Sequence, residues 1–108
     1  MDLENNKAQM RKGILEYCIL SVLSGNSCYA SDIIKELKEA KVIVVEGTLY
    51  PLLTRLKNSG LLSYRWEESL QGPPRKYYEL TEAGRVYLAD LDNSWLELVE
   101  SVNLIRNR

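Results

Sequence analysis

The sequence predicts a mainly α-helical domain that carries a small two-stranded β hairpin and ends in a long helix. Three observations point there. Apolar residues recur at helical spacing as far as Gly60. The period then falls from about 3.6 to 2 over two short stretches separated by Gly72-Pro73-Pro74. Beyond Thr81 the helical period returns and holds almost to the last residue.

The first periodic segment runs from about Met10 to Ser24, where Ile14, Leu15, Cys18, Ile19, Val22 and Leu23 form one apolar face. Ser24-Gly25-Asn26-Ser27 reads as a turn whose Asn26 or Ser27 is suited to cap a second helix, Cys28 to Ala40. Ala30, Ile33, Ile34 and Leu37 make the buried face of that helix. Val42-Ile43-Val44-Val45 is a β-branched run that disfavours further helix and reads as a brief strand or an extended connector. A third helix is expected from Glu46 to Asn58, with Val45, Leu49, Leu52, Leu53 and Leu56 buried and Gly60 as its left-handed stop. Pro51 is expected within the first turn, where a missing N–H leaves nothing unpaired.

After Gly60, Leu62 to Glu67 alternates as a half-exposed strand, and Arg75 to Leu80 supplies its partner across a turn from Ser69 to Pro74. Thr81 then caps a helix reaching about Asn107, with Glu82 at its positive end. Residues 1–80 are thus expected to form a winged helix-turn-helix and 81–108 a dimerisation helix, the first helix also contributing to dimerisation.

Composition bounds the function. The 108 residues suit one domain, and 45% hydrophobic content suits a packed core. No apolar run is long enough to span a bilayer and the N-terminal stretch lacks a secretory pattern, so a cytoplasmic location without membrane contact is expected. Cys18 and Cys28 lack disulfide-framework or metal-site spacing and read as small apolar residues. Histidine is absent, and with no Gly-rich phosphate loop nothing is arranged for a reaction. No enzyme activity, cofactor or metal is expected. A net charge of −1, from 14 basic and 15 acidic residues, means that any affinity for nucleic acid must come from local placement. The same balance favours a rival expectation, a winged helix serving only protein contact or dimerisation.

A winged helix-turn-helix lays its second motif helix in the major groove and its hairpin along the backbone or minor groove. On a helical wheel the outer face of Glu46 to Asn58 carries Gly47, Pro51, Thr54 and Asn58, flanked by Thr48, Tyr50 and Arg55. Small residues allow close approach, hydroxyls suit phosphates, and Arg55 suits a phosphate or a guanine edge. Arg75 and Lys76, beside the Gly/Pro turn, are expected at the hairpin tip as phosphate contacts.

Lys12-Gly13-Ile14-Leu15-Glu16, Gly47-Thr48-Leu49-Tyr50-Pro51-Leu52-Leu53, Arg55-Leu56, Gly60-Leu61, the wing from Gly72 to Tyr78, Leu80-Thr81 and Ala83-Gly84 together resemble the PadR family over nearly the whole chain. The resemblance implies a winged-helix transcriptional regulator, usually a repressor, that dimerises through its last helix. It implies DNA contacts at Thr48, Tyr50, Thr54, Arg55, Arg75 and Lys76. One branch of that family holds flat aromatic ligands between tryptophans of the two last helices, and Trp95 falls where that tryptophan would. Two positions depart from the family pattern. Ser31 stands where an aromatic is common, and Val45 where a capping Ser or Asn is frequent.

Independently, Leu88, Leu91, Trp95, Leu98, Val102 and Ile105 recur at heptad spacing, an expected homodimer seam, part of which could instead pack on the first helix of its own chain. Trp95 in that seam reads either as dimer core or, with Ile14 and Cys18 of the first helix, as one wall of a slot for a small aromatic effector. The leading expectation is a dimeric repressor that binds double-stranded DNA at a palindromic operator.

Overall fold

The computed structural model describes residues 1–42 and 44–108. The chain is mainly helical: α1 (Leu3–Lys12), α2 (Leu15–Gly25), β1 (Cys28–Tyr29), α3 (Ala30–Glu39), α4 (Glu46–Asn58), β2 (Leu62–Ser69), β3 (Gly72–Leu80) and α5 (Glu82–Arg106). Its antiparallel sheet has the order β1-β3-β2. Among the described residues, no helix is long and apolar enough to cross a membrane and no acidic or thiol cluster could hold a metal ion.

The core lies where α2, α3, α4 and the base of the hairpin meet. Ile19, Leu20, Ile33, Leu49 and Leu53 are fully enclosed there, with Tyr78 and Leu80 closing the sheet side. At about 1.5–3 kcal/mol per enclosed aliphatic side chain, this cluster outweighs the local propensities of the short helices around it.

Four differences from the sequence expectation have physical causes. The segment before Gly13 is a helix of its own, capped by Asp2 through Asn5 N–H at 3.2 Å, and it ends at Gly13 before α2 begins. It buries no residue, so no apolar periodicity announced it. Cys28-Tyr29 is a short strand rather than the start of a helix. It pairs with Tyr78 and Tyr77, and α3 begins only at Ala30, where Asp32 accepts the Tyr29 N–H at 3.0 Å.

Pro51 lies in the second turn of α4, not the first. Its missing N–H leaves the Gly47 carbonyl without a helical partner, on the side of the helix facing solvent. The hairpin is also longer and tighter than expected. Ser69 registers with Gly72, the turn is Leu70-Gln71, and Gly72-Pro73-Pro74 belong to β3. Pro73 and Pro74 are accommodated because β1 does not extend to that end of β3 and the β2 pairing is irregular opposite them, between Glu67 and Ser69.

The left-handed stop at Gly60 (φ 81°) and the Thr81 cap are both present. Thr81 Oγ1 accepts the Gly84 N–H at 3.0 Å and donates to the Gly60 carbonyl at 2.6 Å. The end of α4 is thereby tied to the start of α5. Of the run Val42 to Val45, Ile43 lies outside the described residues; Val42, Val44 and Val45 belong to no helix or strand, and Val44 is buried.

Candidate nucleic-acid interface

Helix α4 buries Leu49, Leu53 and Leu56 and turns Gly47, Pro51, Thr54 and Asn58 outward, as its spacing requires. Its two flanks differ in what they meet. On one flank Tyr50 faces a cleft of about 410 Å³ between the N-termini of α3 and α4 and the hairpin, lined by Tyr29, Ala30, Ser31, Glu46, Tyr50, Trp66, Pro74, Arg75, Lys76 and Tyr78. Thr54 lies further along the same flank, beside Lys57, Asn58, Tyr64 and Lys76. Of the expected set, the structure thus brings Tyr50, Arg75 and Lys76 to one cleft and Thr54 to an adjoining one that shares Lys76.

Arg55 points the other way. Its Nη2 lies 2.6 Å from Glu16 Oε1 on α2, a contact without the alignment of a hydrogen bond, and the Arg55 side chain remains 69% exposed. Thr48 is exposed on that same side of α4.

Arg75 and Lys76 are not at the hairpin tip. They are strand residues registered with Glu67 and Trp66, and as neighbours in a strand they point to opposite faces. The Arg75 guanidinium lies 3.9 Å from the Tyr29 ring centroid, while Lys76 Nζ sits 4.5 Å from the Tyr64 ring and 5.5 Å from that of Trp66. Each cation is held over an aromatic face, which restricts its rotamers without neutralising its charge.

Sequence reasoning missed Lys57, Tyr64 and Trp66. Lys57 Nζ lies 5.8 Å from the Tyr64 ring, so the α4–hairpin groove carries two cations, Lys57 and Lys76. The alternation Tyr64, Trp66 against Tyr78, Lys76 was the signal, but it becomes readable only with the cross-strand register. Beneath them Tyr78 is buried, and desolvation first, then Tyr50 and Tyr64, push its hydroxyl pKa above the ordinary value. It stays neutral under the groove.

At the other end of the molecule, the expected seam on α5 divides. Leu88 is in the chain's own core and Leu91 is half-buried against it, because the start of α5 packs on α2. Trp95, Leu98, Val102 and Ile105 remain exposed to different degrees, together with Leu96 and Leu104. Trp95 and Ile14 do share a groove of about 430 Å³ with Met10, Arg11, Leu98, Val99, Val102 and Asn103. Cys18 does not line it. One turn into α2, it lies against the core, and burial raises its thiol pKa. Tyr17 braces this end: its hydroxyl donates to Asp92 at 2.6 Å and its ring lies 6.3 Å from that of Trp95.

Comparison with known proteins agrees with this architecture. The model of the transcriptional regulator PadR-like family matches residues 19–90. A PadR-like transcription factor from Bacteroides fragilis is 66% identical, with 94% of this chain and 98% of that one covered, at a TM-score of 0.80. A PadR family transcriptional regulator from Eggerthella lenta is 30% identical over 95% and 90% of the two chains, at a TM-score of 0.89. Bacillus subtilis PadR, solved in complex with operator DNA, is 27% identical over 72% of this chain and 45% of that one, at a TM-score of 0.68. The family consists of transcription regulators rather than enzymes. A helix with a small, polar outer face beside a cation-bearing hairpin is the architecture of such a regulator, and the chain belongs to the PadR-like family of transcriptional regulators.

Proposed function

We propose that the chain represses transcription by binding duplex DNA with α4 in the major groove and the β2–β3 hairpin along the adjacent backbone. The carrying observation is the pair of adjoining clefts that share Lys76 and Tyr78 of β3, one lined by Tyr50 of α4 and the other by Thr54 and Lys57. An overall charge of −1 does not oppose this, because Lys57 and Lys76 stand together where α4 and the hairpin converge. A relative seated on operator DNA supports the same use of this chain.

Within this proposal, Tyr50 and Thr54 give hydroxyls to phosphates or base edges, and Lys76 gives the hairpin's phosphate contact. Thr48 and Arg55 serve the far flank of the groove, with Arg55 exchanging Glu16 for a phosphate or a guanine. Arg75, stacked on Tyr29, contacts the backbone from the other face of the hairpin. Two copies joined through the exposed apolar residues of α5 match a palindromic operator by twofold symmetry. The groove at Trp95 and Ile14 is apolar and adjoins that seam, which suits a flat aromatic effector.

The test is a mobility shift on the DNA upstream of the chain's own gene, titrated with salt. Binding should fall steeply as salt rises, and Lys76→Ala and Arg55→Ala should each weaken it. No shift at low salt overturns the proposal and leaves the protein-contact alternative.

A further inference from the structure

Trp66 exposes 62% of its surface on β2. A tryptophan left in water on a strand forgoes the largest burial any side chain offers, which draws attention to what covers it in use. Its face is that of Tyr64, Tyr78 and Lys76, fixed by the pairs Tyr64↔Tyr78 and Trp66↔Lys76. Nearer the base of the hairpin this face is closed by the core. At Trp66 it runs out past α4 and has no cover.

The indole is nevertheless held in place. Tyr64 meets it edge-on at 6.0 Å and 90°, and the Lys76 ammonium lies 5.5 Å from its ring. Trp66 also borders the cleft that Tyr50 enters from α4. Aromatic surface and positive charge are therefore interleaved on one strip. That pattern fits a polyanion whose backbone offers apolar sugar faces between phosphates. Glu46 lines the cleft from the α4 side, where its carboxylate offsets the pull of that helix N-terminus on an anion, so the hairpin cations are the better seat for phosphate.

We propose that Trp66 is a DNA-contact residue, its indole packing on a deoxyribose of the backbone while Lys76 takes the neighbouring phosphate. The inference rests on the DNA-binding function proposed above and adds to it a non-ionic contact on the hairpin. The strip recognises a feature of every duplex, so Trp66 contributes affinity rather than sequence preference.

The probe is a fluorescein-labelled duplex of mixed sequence at low salt, with binding read by anisotropy. In a Trp95→Phe protein Trp66 is the sole tryptophan. Its emission should become protected from acrylamide when the duplex saturates the protein. Trp66→Ala should weaken binding about tenfold with an unchanged salt slope, Trp66→Phe should fall between, and Lys76→Ala should lower the slope by about one. If anisotropy reports binding while Trp66 remains equally open to acrylamide, or if Trp66→Ala binds like the parent, the contact is disproved and DNA binding stands. If the parent binds no duplex, the functional proposal itself fails. The acrylamide measurement needs no substitution at Trp66, so it decides the matter even if Trp66→Ala folds poorly.

Discussion

Arg55 on α4 reaches back to Glu16 on α2, Nη2 to Oε1 at 2.6 Å, rather than standing free on the outer face of its helix. The pair links the helix assigned to the major groove with the helix that also carries Tyr17, whose ring lies beside Trp95. An ion pair with a largely exposed arginine is worth only about 0–1 kcal/mol, so exchanging Glu16 for a phosphate is energetically cheap.

Glu16→Gln should therefore release Arg55. DNA affinity at low salt is expected to rise a few fold with the salt slope and the melting temperature nearly unchanged, because Arg55 meets the same DNA group in both proteins. Anisotropy titrations at several salt concentrations check this. An affinity unchanged by Glu16→Gln but lost with Arg55→Ala would mean that Arg55 binds DNA without leaving Glu16.

Gly84 has no room for a side chain. A Cβ built there would stand 2.1 Å from the Leu61 carbonyl oxygen, which is backbone and cannot swing aside. Gly84→Ala should push the start of α5 off the α4–β2 connection and destabilise the fold by about 3 kcal/mol, read as a lower midpoint in thermal or urea unfolding.

Thr81 makes two hydrogen bonds through one hydroxyl, to Gly84 N–H and the Gly60 carbonyl. Thr81→Val keeps the shape and removes both, and is expected to cost about 1–2 kcal/mol. Thr81→Ser, which retains the hydroxyl, should recover most of that difference in the same unfolding measurement.

The thiols should be slow to react. Burial, with smaller contributions from Asp32 and Glu36, pushes the Cys28 pKa to about 11, and burial raises that of Cys18. At neutral pH both stay protonated, so iodoacetamide should label the native protein far more slowly than the unfolded one. A raised folded pKa means that the unfolded state loses its proton first. Stability is thus fully present below about pH 9 and declines as pH rises towards 11. In Cys28→Ala the decline measured by urea unfolding should be shallower over that window. The Tyr17 hydroxyl, raised first by its hydrogen bond to Asp92 and then by desolvation, adds to the same decline, and Tyr17→Phe should reduce it.

The exposed apolar side of α5 should hold two copies together. Leu98 is 55% exposed in the single chain, so Leu98→Glu places a charge that water can reach there but that the proposed dimer would bury. Sedimentation should show the parent as a dimer and the variant as a monomer, with DNA binding weakened in parallel. A parent that sediments as a monomer would remove α5 as a seam.

Much of this molecule was legible without coordinates, because the features concerned are local. Apolar spacing marked α4 from Glu46 to Asn58, the left-handed requirement marked Gly60, and a hydroxyl before an acidic first turn marked Thr81. The family was legible for the same reason, its run Gly47 to Leu53 being contiguous. Helix α1 escaped notice because it buries nothing, and β1 because two residues become a strand only when Tyr77 and Tyr78 arrive beside them. Where side chains point across elements was also beyond local spacing. Strand register sends Arg75 to Tyr29 and Lys76 to Trp66, and the packing of α4 on α2 gives Arg55 to Glu16. Sequence determined α4, the hairpin and α5, with the stop at Gly60 and the cap at Thr81, through short-range backbone preferences. Tertiary structure alone decided which cations and aromatics share a face, because that depends on pairings between segments whose separation in the chain carries no information about their angle in space.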